Sequence, residues 1–168
     1  MKTQKQKINV LLTSFIIFIA FVAVGIVYIP SVMGLEAYTI ETGSMSPKIP
    51  EGSMVYVRKY HNFEDYQVND IVTFTDNKTQ KSFTHRIISI NPVAETFTTK
   101  GDANTEPDLS PTEYIYAVGK VEFSIPYLGY VAAFLKNTVV KIVLAVIYIA
   151  WAAIEIELYL TERKKKYD

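Results

Sequence analysis

The sequence predicts a mainly β domain held between two apolar segments, and three observations lead to this fold class. An uncharged run extends from Ile8 to Ile29 near the N-terminus. In the middle region, residues 30–138, short stretches rich in β-branched and aromatic residues alternate with turn residues. A second apolar segment, residues 139–160, precedes a basic tail. Together they predict a membrane-anchored β-barrel or sandwich-like domain with an N-terminal and a C-terminal transmembrane helix.

The N-terminal apolar run is 22 residues long and follows a basic segment, residues 1–7. A helix rises about 1.5 Å per residue, so a run of this length spans the ~30 Å hydrocarbon core of a bilayer. A cleaved signal peptide is the alternative, but its apolar part is usually only about 7–15 residues long. We therefore expect residues 8–29 to form an uncleaved transmembrane anchor.

The middle region contains five stretches with strand character, separated by turn signals such as Asn91-Pro92 and Gly101-Asp102. The five are Met54–Arg58, Asp70–Thr75, Phe83–Ile90, Thr96–Thr99 and Tyr114–Phe123. Strands of this length and spacing predict a barrel or a sandwich.

The second apolar segment is less uniform. Its part from Ile142 to Ile154 is fully apolar, but the extension from there to Leu160 includes Glu155 and Glu157. An amphipathic helix packed on the domain or on the membrane surface is therefore an alternative to a second span. The basic tail, residues 161–168, favours the span, since cytoplasmic flanks of membrane proteins are enriched in Lys and Arg. We expect an integral protein of the cell membrane with both termini cytoplasmic and the β-domain, residues 30–138, outside.

Composition excludes several classes of function. The chain has no cysteine, which excludes disulfides, thiolate catalysis and cysteine-based zinc sites. Lys+Arg and Asp+Glu are equal at 17 each, and no basic stripe with interleaved aromatic residues predicts a nucleic-acid partner. No glycine-rich phosphate loop is present. We expect neither a metal nor a cofactor.

One turn carries a candidate nucleophile. The stretch Glu41–Pro47 places Ser44 between a glycine and a nearby proline, soon after the first apolar run. A serine hydroxyl needs a general base to attack a carbonyl at neutral pH. Of the two histidines, His61 lies in a polar stretch and is expected at the surface. His85 lies in a strand-like run, where a structural role is the alternative to catalysis, and Lys81 is the other candidate base.

A carboxylate that orients the base would complete such a site. The loop after Lys100 offers Asp102 and Asp108. An ordinary Asx-type turn is the alternative interpretation of both residues. A calcium loop is disfavoured, because the spacing lacks the alternating oxygen ligands of an EF-hand.

The ordered set Thr42-Gly-Ser44-Met-x-Pro, Thr84-His85-Arg86-Ile87 and Lys100-Gly-Asp102-Ala-Asn104 with Asp108 resembles type I signal peptidase. The resemblance is to the Ser/His, endoplasmic-reticulum-type branch, and in particular to the W-type enzymes of Gram-positive spore-formers. It extends from the N-terminal anchor to the segment Val118–Gly129.

The resemblance implies a role for each matching residue. It implies that Ser44 is the nucleophile, that His85 is its general base, and that Asp108 pairs with the histidine. Asp102 matches a second important acid. Thr42 matches the position of a hydroxyl that joins the backbone N–H of Ser44 in an oxyanion hole.

The implied function is that of a membrane-bound serine endopeptidase, which removes signal peptides from secretory preproteins at the outer membrane surface. Its expected partners are those preproteins and the lipid bilayer, with accessory subunits left open. Two alternatives remain. One is a membrane-anchored β-domain that binds a partner without catalysis. The other is a serine hydrolase acting on a small ester, which would be expected to carry a Gly-x-Ser-x-Gly turn that Gly43–Pro47 does not match.

Overall fold

The structure is a computed structural model that describes residues 4–76, 79 and 81–167. Residues 1–3 of the basic N-terminus, residues 77, 78 and 80, and the last residue of the tail lie outside the described residues. In chain order the helices and strands are α1 Gln4–Val32, β1 Leu35–Thr39, β2 Met54–Arg58, β3 Ile71–Thr75, β4 Ser82–Asn91, β5 Thr96–Lys100, β6 Thr112–Glu113, β7 Ala117–Ile125, α2 Leu128–Lys136 and α3 Thr138–Tyr167.

The strands form a single curled antiparallel sheet, a half-barrel, with the order β1-β2-β7-β3-β4-β5-β6. The predicted mainly β domain is therefore confirmed. Four predicted strands match β2 to β5 within one residue at each end. The fifth begins with a 3₁₀ turn over Tyr114–Tyr116 and continues as β7, whereas β1 and the two-residue β6 were not predicted.

Strand β2 has four consecutive buried residues, because both of its faces are covered. On one face Val55 and Val57 pack with Met45 and Ile49 of the segment between β1 and β2. On the other face Tyr56 belongs to a cluster that includes Leu35 and Met54 and is covered by Leu128 and Ala132 of α2. Burial of this much apolar surface fixes the segment that carries Ser44 against the sheet.

A register shift in β4 corrects one expectation from strand alternation. Simple alternation predicts that Ser89 shares a face with His85 and Ile87. In the structure Ile87 pairs with Thr99 and Ser89 pairs with Thr98, with an irregularity between them. Because neighbours on β5 point to opposite faces, the bulge turns Ser89 away from the face of His85. On the neighbouring strand β5, Thr99 pairs with Ile87 and therefore lies on the same face of the sheet as His85.

The second apolar segment forms a helix. Within the described residues, Thr138–Thr161 of α3 is long and apolar enough to cross a membrane by length and composition, and none of its most apolar stretch is buried. Helix α1 covers the whole of the first apolar run and exposes large side chains such as Leu11 and Phe21. The N-terminal anchor and the membrane topology stay predictions.

Candidate active site

Ser44 lies on a single 3₁₀ turn, Gly43–Met45, between β1 and β2. The next side chain, Met45, is fully buried and packs against Val55 and Val57, and its carbonyl accepts a hydrogen bond from the Ile49 N–H at 2.8 Å. Since the buried Met45 holds the turn in the core, the neighbouring Ser44 side chain is left partly exposed. The local sequence thus presents a hydroxyl on a rigid support.

His85 is placed beside this hydroxyl by strand β4. Its Nε2 atom lies 3.2 Å from Ser44 Oγ, and its side chain is 14% exposed. The edge of the imidazole contacts the Phe83 ring, with 5.6 Å between ring centroids. With the ring proton on Nδ1, the unprotonated Nε2 accepts a hydrogen bond from the serine hydroxyl. That is the arrangement needed to remove the serine proton.

Asp108 contacts the other nitrogen of the same ring. Its Oδ2 lies 2.6 Å from His85 Nδ1, and it also accepts a hydrogen bond from Thr99 Oγ1 at 2.5 Å. The backbone of Asp108 is also bound to β5, the strand of Thr99, because its N–H donates to the Thr99 carbonyl at 2.8 Å. A carboxylate held in this way fixes the orientation and tautomer of the histidine.

Asp102 contacts a different partner, Arg86. The guanidinium donates two hydrogen bonds, from Nε to Oδ1 at 2.8 Å and from Nη2 to Oδ2 at 2.6 Å. Arg86 Nη1 also donates to the Asn69 carbonyl at 2.8 Å. The hydrogen bonds to Asp102 raise the pKa of Arg86 above its ordinary value. The bidentate pair fastens the loop to β4, so the implied importance of Asp102 has a structural explanation here.

That loop reaches the backbone of the candidate nucleophile. The Ala103 N–H donates to the Ser44 carbonyl at 2.8 Å. A Cβ atom placed on Gly101 would lie 2.6 Å from the same oxygen, which is closer than real Cβ atoms approach backbone atoms. The glycine in Lys100-Gly-Asp102 is therefore required by close packing against Ser44.

Thr42 lies two residues before Ser44 and is exposed. Its Oγ1 lies 3.2 Å from Ser44 Oγ, and either oxygen is able to donate in this contact. A hydroxyl at this distance is close enough to reach an oxyanion formed at Ser44. The assignment of Thr42 and the Ser44 N–H to an oxyanion hole stays a prediction.

The two competing candidates for the base lie elsewhere. His61 is exposed, in agreement with its predicted surface position. Lys81 is exposed directly before β4, and its carbonyl accepts a hydrogen bond from the Asp76 N–H at 2.8 Å. The contact to the Ser44 hydroxyl is made by His85.

Sequence reasoning assigned no role to two residues that organise the site. Thr99 is fully buried and holds Asp108, while Arg86 holds Asp102. The position of Arg86 within a strand-like run was a usable signal, since a charged side chain that becomes partly buried on a strand needs a partner. No comparable signal distinguished Thr99 from Thr98 beside it on β5.

A depression of about 450 Å³ adjoins the site, and its lining includes His85, Asp108, Phe83 and Tyr116. It provides room for an extended ligand next to the histidine. Within the part of the chain that the structure describes, no group of three or more His, Asp or Glu side chains is arranged to hold a metal ion.

Two comparisons show which known proteins the chain resembles. Residues 12–93 match the family described as signal peptidase, peptidase S26. The chain is also similar to signal peptidase I W of Bacillus subtilis (strain 168), with 32% identity over 84 residues, which is 49% of this chain and 44% of that protein. The alignment thus spans less than half the length of this relative.

The family match covers Ser44 and His85 but ends before Asp102 and Asp108. The structure adds Asp108 by bringing it to the histidine. Over residues 12–93, just under half of the chain, the sequence is therefore similar to the signal peptidase family, peptidase S26, and to the W-type signal peptidase I.

Proposed function

We propose that the chain is a membrane-bound serine endopeptidase that removes N-terminal signal peptides from secretory preproteins. The observation that carries the proposal is the hydrogen-bonded line from Ser44 Oγ through His85, at 3.2 Å and 2.6 Å, to Asp108. This line matches the geometry of nucleophile, base and orienting acid in serine hydrolases. The family match over residues 12–93 supports the choice of substrate class.

In the proposed first step, Ser44 Oγ attacks the carbonyl carbon of the bond after the signal peptide, and its proton moves to His85 Nε2. Asp108 stabilises the resulting imidazolium through Nδ1–H. The backbone N–H of Ser44 and the hydroxyl of Thr42 would stabilise the oxyanion, and such donors are worth several kcal/mol, roughly 3–4 for a well-placed one.

The intermediate collapses when His85 donates its proton to the leaving amine, which becomes the new N-terminus of the mature protein. The signal peptide is then esterified to Ser44. In the second half of the reaction, His85 takes a proton from water, the resulting hydroxide attacks the ester, and the serine oxygen is reprotonated. No other reactant is required.

The proposed location at the outer membrane surface rests on the apolar helices. Thr138–Thr161 is able to span a membrane by length and composition, and α1 contains an uncharged run of 22 residues. Ser44 follows this helix by only a short strand and a turn. A nucleophile so near an anchor would meet a cleavage site that emerges from the bilayer, while the apolar part of the signal peptide stays in the lipid.

The experiment compares the purified full chain with Ser44→Ala on a preprotein in detergent or lipid vesicles. Ser46→Ala is the matched control, since it removes a hydroxyl from the same segment. We expect cleavage by the wild type and by Ser46→Ala, and a loss for Ser44→Ala. An initial burst of mature protein equal to the enzyme concentration would support the acyl-enzyme, as would detection of the signal peptide esterified to Ser44.

A partner-binding domain without catalysis is the competing function. It predicts that the wild-type chain retains the preprotein without cleaving it, and that Ser44→Ala binds equally well. The completeness of the Ser44–His85–Asp108 line favours the peptidase over this alternative.

A further inference from the structure

Helix α1 contains a proline close to its C-terminal end. Pro30 is buried, and the helix ends two residues later at Val32. In an α-helix each backbone N–H donates to the carbonyl four residues earlier, and proline has no N–H to donate. The carbonyl of Ile26 therefore lacks its helical partner. In an apolar environment, an unpaired carbonyl of this kind is unfavourable.

A tyrosine from the sheet supplies the missing donor. The Tyr56 hydroxyl donates to the Ile26 carbonyl at 3.0 Å. Tyr56 lies on β2, is fully buried, and stacks its ring on Phe123 with 4.6 Å between centroids. Its hydroxyl is thus held in one place and reaches the helix at the carbonyl that Pro30 leaves unpaired.

A second contact on the same strand holds the end of the helix. Arg58 Nη1 donates to the Met33 carbonyl at 3.4 Å, and Arg58 Nε bonds Glu122 on β7 at 3.0 Å. A cation near the C-terminal carbonyls of a helix is electrostatically favourable. Tyr56 thus attaches α1 to β2, and Arg58 attaches the residue that follows α1, so the helix is joined to the sheet by more than the connection through Gly34.

We propose that Tyr56 and Pro30 together are positioning residues that lock the anchor helix onto the catalytic sheet and so set the height of Ser44 above the membrane. The inference rests on the proposed function, in which α1 is the membrane anchor. The turn with Ser44 connects β1, which follows α1 directly, to β2, which carries Tyr56. A tilt of α1 relative to β2 would move the bilayer, and the signal peptide in it, relative to the nucleophile.

The first test uses Tyr56→Phe, which removes only the hydroxyl, with Tyr38→Phe as the matched control. Tyr38 lies on β1, and its hydroxyl donates to Glu36 of the same strand rather than to α1. For a vesicle-inserted preprotein, we expect kcat/KM to fall roughly 5- to 150-fold in Tyr56→Phe, the range for one unsatisfied polar group. For a short water-soluble cleavage-site peptide, both variants should stay within about twofold of the wild type.

The second test is rescue. Pro30→Ala supplies a backbone N–H at residue 30, which is able to bond the Ile26 carbonyl within the helix. In Tyr56→Phe, contact of α1 with β2 leaves the Ile26 carbonyl without a donor, and this cost favours separation of the helix from the sheet. The double variant Tyr56→Phe/Pro30→Ala lacks this cost, so its activity on the vesicle-inserted preprotein should be higher than that of Tyr56→Phe, although the hydrogen bond to β2 is not restored. An equal fall on both substrates in Tyr56→Phe, or a double variant no better than the single one, would overturn the inference.

A physical readout separates this inference from the proposed function. Because the chain has no cysteine, spin labels can be placed at the exposed positions Phe21→Cys and Val93→Cys. The distance distribution between them should broaden in Tyr56→Phe and narrow again with Pro30→Ala. An unchanged spin-label distance distribution in Tyr56→Phe refutes the lock even if the enzyme is active. A wild-type chain that cleaves neither substrate refutes the proposed peptidase, and the spin-label distances then test the lock on their own.

Discussion

Replacing Thr99 by valine tests how the orienting acid is held. The Thr99 hydroxyl donates to Asp108 Oδ2 at 2.5 Å, and the same oxygen contacts His85 Nδ1 at 2.6 Å. Thr99→Val preserves the shape of a fully buried side chain but removes this donor. Hydrogen bonds to charged groups contribute about 1.5–3 kcal/mol. If the whole contribution stabilises the transition state, kcat/KM should fall about tenfold to 150-fold.

The assay measures kcat/KM on a soluble cleavage-site peptide and the unfolding temperature of each variant. Thr98→Val is the matched control, because Thr98 lies on the same strand but on its opposite face. We expect activity to fall in Thr99→Val only, with unfolding temperatures that differ too little to explain it. Equal activity in the two variants, or a loss that follows the unfolding temperature, would refute the role given to Thr99.

Three further predictions concern the loop and the topology. Gly101→Ala should lower kcat by tenfold or more, because its Cβ would lie 2.6 Å from the Ser44 carbonyl and displace it; unchanged peptide turnover would contradict this. Arg86→Gln should lower activity and destabilise the loop, since a partly buried Asp102 loses its cation, and limited proteolysis between β5 and β6 measures the loosening. A tag after Asp168 should be accessible only from the cytoplasmic side in protease-protected vesicles, and accessibility only from outside would disprove the second span.

The strands were predictable because their residues carry local signals. Alternating β-branched and aromatic residues between turn signals identify β2 to β5 to within one residue. The loop residues Asp102 and Asp108 were recognisable as candidate acids, but their local sequence does not distinguish them. The partners separate them: Arg86 binds the first, and His85 binds the second.

Other features depend on contacts between distant parts of the chain, which no local pattern encodes. The role of Thr99 arises because the loop between β5 and β6 folds back and brings Asp108 to β5. The bulge that turns Ser89 away from His85 follows from pairing with β5. The bond from Tyr56 to Ile26 joins residues 30 positions apart, and Pro30 alone would have indicated only a weak point in a helix.

The most direct test of the central claim is the cleavage rate of His85→Ala on a preprotein, with His61→Ala as the matched control for the second histidine. A general base contributes about 10²–10⁴-fold to rate, and we expect a loss of this size for His85→Ala with no loss for His61→Ala. Normal cleavage by His85→Ala, accompanied by a loss in Lys81→Ala, would contradict the Ser44–His85–Asp108 assignment and make a lysine the base.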